Sequence, residues 1–206
     1  IAAKLGLKAK PVQGSWDKLL DLLARGDFDV AMNGIEVNDE KLRVCELSTP
    51  YYAAAERITI RKGDATAPRT LDAMRGRAAG TLPSSTAEKI LQRAGAEVHT
   101  YDGGQDDIYQ DLTLKRTDAV LLDDPITKYY GAVEPTLDVV DGSFGEVRYA
   151  VAFRKGDRAT KKAFDDALAA LAADGTLRTI YQKWGLWNAE TAVLLHDDGH
   201  KNDTST

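Results

Sequence analysis

Cysteine is nearly absent: Cys45 is the sole thiol among 206 residues. One thiol closes no internal disulfide and builds no cysteine-based metal cluster. No run of about 18 apolar residues occurs, so no segment reads as a membrane-spanning helix. Histidine is scarce as well. Only His99, His196 and His200 are present, the last two in a polar C-terminal stretch, and a Ser-His-acid triad lacks an evident base. Positive charge is not in excess either. The net charge of −5 leaves no basic footprint for a nucleic-acid partner. No phosphate loop, dinucleotide fingerprint or metal-spaced ligand cluster is visible, and there is no internal repeat.

What remains is a chain with 43% apolar residues, enough to build a sizeable core. Its pattern alternates short strands and helices. Leu7–Val12 is a candidate strand. Trp16, Leu19, Leu20 and Leu23 then form one apolar face of a helix capped by Ser15. Phe28–Met32 reads as a short buried strand closed by an Asn33-Gly34 turn, and Asp39–Val44 as a helical turn. Ala54–Arg61 is a long strand. A second set runs from a helix at Leu71–Arg75 through strands at Arg77–Thr81, Glu97–Tyr101 and Asp118–Leu122. Helices at Ser85–Ala94 and Gln105–Leu114 separate these strands. A helix starts at Pro125, and Thr136–Val140 and Val147–Arg154 are the last strands. Strands interleaved with helices of about ten residues indicate α/β architecture with mainly parallel sheets flanked by helices.

The C-terminal end is the most informative part. Phe164, Ala167, Leu168 and Leu171 carry helical spacing. Asp174-Gly175 breaks that helix, and a second restarts at Thr176 and ends in Tyr181-Gln182-Lys183-Trp184-Gly185. The strand Val147–Asp157 precedes this pair. In that order the combination resembles the C-terminal end of the polar amino-acid type of periplasmic solute-binding protein, family 3, the receptor component of ABC importers. Ser48-Thr49-Pro50-Tyr51-Tyr52 is similar to a second signature of that family. The resemblance implies a two-lobed type II periplasmic-binding fold with a two-strand hinge. Lobe one is expected to be discontinuous, 1–57 plus 151–188, with lobe two at 58–150 and a disordered polar tail at 189–206.

The same resemblance nominates a ligand site, and elementary chemistry gives its logic. A free amino acid offers a carboxylate, which suits a fixed cation and backbone N–H donors. It also offers an ammonium, which suits a carboxylate and carbonyl oxygens. Gly34 matches the backbone-contact glycine. Glu36 stands where the family usually has Thr or Ser, and Lys41 where it usually has the carboxylate-binding Arg. Lysine keeps the charge but loses the planar two-pronged donor. Glu36 either pairs with Lys41 or meets a cationic ligand side chain. Trp16 is either a core anchor or an aromatic under the ligand. In Gly80–Glu88, Ser85 and Thr86 present donors to a carboxylate, the alternative being ordinary helix capping by Ser84 or Ser85. Asp123 matches the family residue that holds the α-ammonium, and the alternative for it is a helix cap beside Pro125, a role Asp124 fits better.

The resulting expectation is a monomeric extracytoplasmic protein that binds a small polar amino acid, with Glu36 favouring a cationic one, and presents it to a membrane permease by hinge closure. Catalytic residues, metal and cofactor are not expected. Two alternatives on the same fold are a cyclohexadienyl or arogenate dehydratase and a sensory or permease-fused receptor domain. Ile1–Gly6 reads as the last turns of a helix stopped by Gly6, so a signal peptide, a first strand and most of a first helix are expected upstream.

Overall fold

A computed structural model describes residues 1–102 and 104–196. The chain opens on a 3-10 turn at Ala2–Leu5, which Gly6 closes in a left-handed conformation. The expected strand at Leu7–Val12 does not form. That stretch has no regular structure, and Leu7 and Val12 are both exposed. Leu7 and Val12 do not define a buried face, and Pro11 removes a ladder donor.

The elements in chain order are α1 (Leu19–Arg25), preceded by a 3-10 turn at Trp16–Lys18, then β1 (Val30–Glu36), α2 (Asp39–Val44), β2 (Cys45–Leu47) and β3 (Tyr52–Arg61). After a 3-10 turn at Asp72–Met74 come β4 (Ala78–Thr81), α3 (Thr86–Ala94), β5 (Glu97–Thr100), α4 (Gln105–Thr113) and β6 (Ala119–Asp123). The one-turn α5 (Asp124–Ile126) runs into a π-helical turn at Thr127–Gly131, followed by β7 (Leu137–Val139), β8 (Glu146–Arg154), α6 (Arg158–Ala173), α7 (Thr176–Lys183) and α8 (Ala189–Leu194). Two compact units result. One holds Ile1–Ala53 with the chain from Arg148 on, and the other holds Ala54–Val147. The chain passes between them inside β3 and inside β8.

In the first unit, β8 pairs antiparallel with both β1 and β2. A mainly parallel sheet is therefore corrected for this unit. β8 re-enters it from the other unit, against the direction of the two strands that lead outward. Leu19, Leu23, Ala31, Ile35, Cys45, Leu47, Ala150 and Ala152 form the core on one face. Phe153 packs edge-on against Phe164 of α6, at 5.2 Å between ring centroids. The hairpin α6–α7 forms as its period requires, with Gly175 left-handed at φ 76.

The residues following α7 fix the start of β3. Tyr52 donates its hydroxyl to the Leu186 carbonyl at 2.8 Å, and Asn188 donates to the Ala53 carbonyl at 2.9 Å. Thr191 is fully buried; its hydroxyl donates to the Ala53 carbonyl at 2.8 Å and accepts from the Ala53 N–H at 3.1 Å. The disordered tail expected from residue 189 is thus corrected for Ala189–Leu194, which are helical under an Asn188 cap. Polar composition suggested disorder, but here the polar groups satisfy an otherwise orphaned strand end. The remainder of that expectation, residues 197–206 with His200, lies outside the described residues.

In the second unit, β5, β4 and β6 are parallel neighbours, β3 runs antiparallel to β6, and β7 runs antiparallel to β3. The expected parallel sheet exists here as a three-strand block with an antiparallel flank. Every residue of β6 is buried, as a strand covered on both faces requires. Ile58, Ile60, Ala79, Leu91 and Leu121 anchor one core face. The other face receives Ile108, Tyr109 and Leu112 of α4, all buried. Gly131 lies against Tyr109, and an added Cβ there would come within 2.8 Å of the ring. A stiff ring cannot swing aside as an aliphatic tip can. Gly131→Ala is therefore expected to lower unfolding free energy by about 1–3 kcal/mol, read by urea denaturation.

Candidate functional site

In the first unit, β1 reaches Glu36 through a local irregularity. Its pairing with β8 shifts register between Ala31 and Ile35, and Gly34 in that gap has φ 62. The expected Asn33-Gly34 turn is thus a bulge inside a strand that continues to Glu36. A Cβ on Gly34 would meet the Tyr149 ring at an ordinary 3.6 Å, so backbone conformation rather than space favours glycine here. Burial pushes the Tyr51 phenol up to about 12, while its hydrogen bond with the Gly34 backbone pulls the other way.

Beyond the bulge, Asn38 caps α2 by accepting from the Lys41 N–H at 3.0 Å. The single turn that follows aims Lys41 back at the end of β1. Its Nζ lies 3.9 Å from Glu36 Oε2 and 5.5 Å from the centroid of the Trp16 ring. Trp16 is held in turn by its indole N–H, which donates to the Asn33 carbonyl at 2.9 Å. Trp16, Glu36 and Lys41, far apart in sequence, therefore form one cluster beside the Gly34 bulge. Glu36 is only 2% exposed and Lys41 9%. Such burial is not that of a solvated surface pair. At 3.9 Å they attract as ions without a direct hydrogen bond. Trp16 adds a cation–π contact to Lys41 and packs on the unit's core, which fits its reading as a core anchor.

In the second unit, the nominated residues sit at the carboxyl ends of parallel strands, where open α/β sheets expose loops and helix starts. Ser85 is the N-cap of α3. Its hydroxyl accepts from the Glu88 N–H at 3.1 Å and donates to the Leu82 carbonyl at 2.7 Å. Glu88 reaches back to the Ser84 N–H at 2.7 Å, a variant of the capping box. Thr86 opens the helix behind this cap. Ser85→Ala is expected to lower stability by about 1 kcal/mol, measurable as a shift in the denaturant midpoint.

Asp123 ends β6 and is 5% exposed. It occupies the cap position of α5, yet its carboxylate makes no capping bond. Asp124, expected as the better cap, instead binds Arg57 Nε at 3.0 Å and Lys128 Nζ at 2.7 Å. β4 and β6 are adjacent, tied further by Thr81 Oγ1 donating to the Leu121 carbonyl at 2.9 Å. This brings the Asp123 strand end beside the strand that leads to Ser85. His99 lies on β5, 3.4 Å from Glu97 Oε1.

One buried acid escaped the sequence reading. Glu56 of β3 is fully buried and pairs in register with Asp123. The signal was available: Glu56, Ile58 and Ile60 alternate onto one strand face, so a charge replaces the next apolar residue of the row. A surface cavity of about 280 Å³ lined by Asp106, Tyr109, Gln110, Thr113, Tyr130 and Glu134 includes none of the nominated residues.

Residues 1–186 match the bacterial extracellular solute-binding proteins, family 3. The chain belongs to that family. The L-cystine-binding protein TcyJ of Escherichia coli (strain K12) is 32% identical over 191 residues, with 89% of this chain and 70% of that protein aligned. Among solved structures, an ancestral arginine-binding protein bound to arginine superposes with a TM-score of 0.82 at 28% identity, over 89% of this chain and 83% of that one. The ancestral amino acid-binding protein AncCDT-1, described as a precursor of cyclohexadienyl dehydratase, gives a TM-score of 0.79 at 25% identity, over 89% of this chain and 80% of that one. The mixed α/β architecture is that of the arginine-binding proteins, the type II periplasmic-binding fold. As a family 3 member the chain is a solute-binding protein.

Proposed function

We infer that this protein binds a polar amino acid with a cationic side chain outside the cytoplasm and delivers it to an ABC-transporter permease. The observation that carries the reading is the buried Glu36–Lys41–Trp16 cluster in a member of an amino-acid-binding family. A cationic amino acid carries one negative and two positive groups. Lys41 supplies the cation for the carboxylate, as the usual arginine of the family does, although as a point charge rather than a fork. Asp123 supplies the anion for the α-ammonium. Glu36, where a neutral hydroxyl is usual, supplies the second anion. Backbone N–H groups around Gly34 and at the Ser85–Thr86 helix start add donors to the carboxylate. The relatives with arginine and histidine in their names favour the same ligand class.

Closure of the two units on the ligand follows the established behaviour of periplasmic binding proteins. It requires that the ligand bind the closed state more tightly than the open one. The permease then recognises the closed, monomeric receptor. No helix among the described residues is long and apolar enough to cross a membrane.

Calorimetric titration with arginine, histidine, cystine and glutamine tests the reading. Arginine or histidine is expected to bind most tightly, with one site per chain. In Glu36→Gln, affinity for the cationic ligand is expected to fall about tenfold or more while glutamine affinity holds or rises. An unchanged ratio of the two affinities would remove Glu36 from the site.

A further inference from the structure

Glu56 belongs to none of the sequence signatures, yet it is buried at the same strand end as Asp123. Along one face of the β3–β6 pair, Ile58 lies opposite Leu121 and Glu56 opposite Asp123. The row changes from apolar to acidic at the carboxyl end of β6, the end where α5 begins and where the strand leading to Ser85 also terminates. Both acids are buried, Glu56 completely and Asp123 to 5% exposure. Residues directly opposite on antiparallel strands have Cβ atoms about 4.5–5.5 Å apart, and two like charges so placed destabilise a sheet. Two carboxylates so placed form one acidic patch that a cation can share.

Glu56 is also held rigidly. Its N–H donates to the Gly145 carbonyl at 2.8 Å, and its carbonyl accepts from the Phe144 N–H at 3.0 Å. The Gly145 backbone lies against its stem, and a Cβ there would approach Glu56 Cγ to 3.2 Å and Ile90 Cδ1 to 2.5 Å. The adjacent cation, Arg57, alternates to the other side of the strand, where Asp124 and the Gly142 carbonyl hold it.

We propose that Glu56 is a second acid of the α-ammonium subsite, so that Glu56 and Asp123 together hold one ammonium group of the ligand. The inference rests on the reading of this protein as an amino-acid receptor and extends it to a residue outside the nominated set. An ammonium placed between two carboxylates gains attraction from both, and its three donors can serve oxygens from each. The shared subsite accepts any α-amino acid and discriminates against ligands that lack the amine. It is thus distinct from selection by side-chain charge at Glu36.

The test compares arginine with its analogue lacking the α-amino group, 5-guanidinopentanoate, by calorimetry and competition. If the screen above selects another amino acid, that one and its des-amino analogue replace them. Glu56→Gln, which keeps shape and burial, is expected to weaken the amino acid about tenfold and the des-amino analogue less than about twofold. Glu56→Asp keeps the charge and is expected to retain most of the wild-type discrimination between the two. Thermal unfolding of each variant confirms a folded state. Equal loss for both ligands, or no loss for the amino acid in a folded Glu56→Gln variant, overturns the proposal and leaves the receptor reading in place. If the unaltered protein binds no amino acid, the receptor reading fails and this proposal fails with it.

Discussion

Asp123→Ala is expected to abolish amino-acid binding, lowering affinity by at least about 100-fold, in a protein that still unfolds cooperatively. The loss is large because the variant leaves the ligand's buried ammonium with too little negative charge around it, and an under-compensated buried charge is more damaging than a missing contact. The fold should tolerate the change for a local reason. Asp123 stands at a cap position without making a capping bond, while Asp124 carries the ion pairs to Arg57 and Lys128. Titration calorimetry beside a thermal melt separates the two effects. Affinity within about threefold of wild type would show that the acid at the end of β6 does not face the ligand.

Phe153→Ala is expected to lower the unfolding free energy by about 3–5 kcal/mol, the largest single effect on stability in the first unit. Phe153 is fully buried in β8, paired in register with Val30 of β1 on one side and Glu46 of β2 on the other. Its ring meets Phe164 of α6 edge-on. Truncation removes the tie between the sheet and the C-terminal helical pair and leaves a cavity that β8, fixed between two strands, cannot close. The same sheet carries the bulge at Gly34 and the end of β1 at Glu36, so partial unfolding there would disperse the Glu36–Lys41–Trp16 cluster. Urea denaturation gives the magnitude. A loss below about 1 kcal/mol would mean that the sheet repacks around the gap.

Local chemistry made much of this fold legible in the sequence. Asn38 followed by Asp39, Glu40 and Lys41 announces the α2 turn, and Ser85 with Glu88 three residues later announces the start of α3. The continuous apolar run Ala119–Leu122 announces a strand buried on both faces. Other features depended on partners distant in sequence. The tail after Asn188 looks disordered by composition, but Thr191 completes hydrogen bonds of Ala53, 138 positions away. Gly34 reads as a turn, yet β8 pairs on both sides of it and turns it into a bulge. The antiparallel pairing in the first unit follows from chain return, which local periodicity does not encode.

The candidate site was legible through the type and order of its residues, read by family resemblance. Periodicity alone would have left Trp16 a core anchor and Lys41 a surface charge. The buried approach of Lys41 to Glu36 needed the bulge, the cap at Asn38 and the Trp16 ring to be assembled together. Glu56 was hidden for the opposite reason. It sits beside Arg57 in the strand Tyr52–Arg61, where adjacent opposite charges resemble a solvated strand edge until pairing sets Glu56 opposite Asp123.

The most direct measurement is a calorimetric titration of this protein with arginine and, in parallel, with Nα-acetyl-arginine, which keeps the side-chain cation and the carboxylate but neutralises the α-amine. Saturable binding of arginine at one site per chain, with no measurable heat from the acetylated form, is the expected result. Equal binding of the two, or no binding of arginine, histidine, cystine or glutamine, would contradict a receptor that grips its ligand by the ammonium at Asp123.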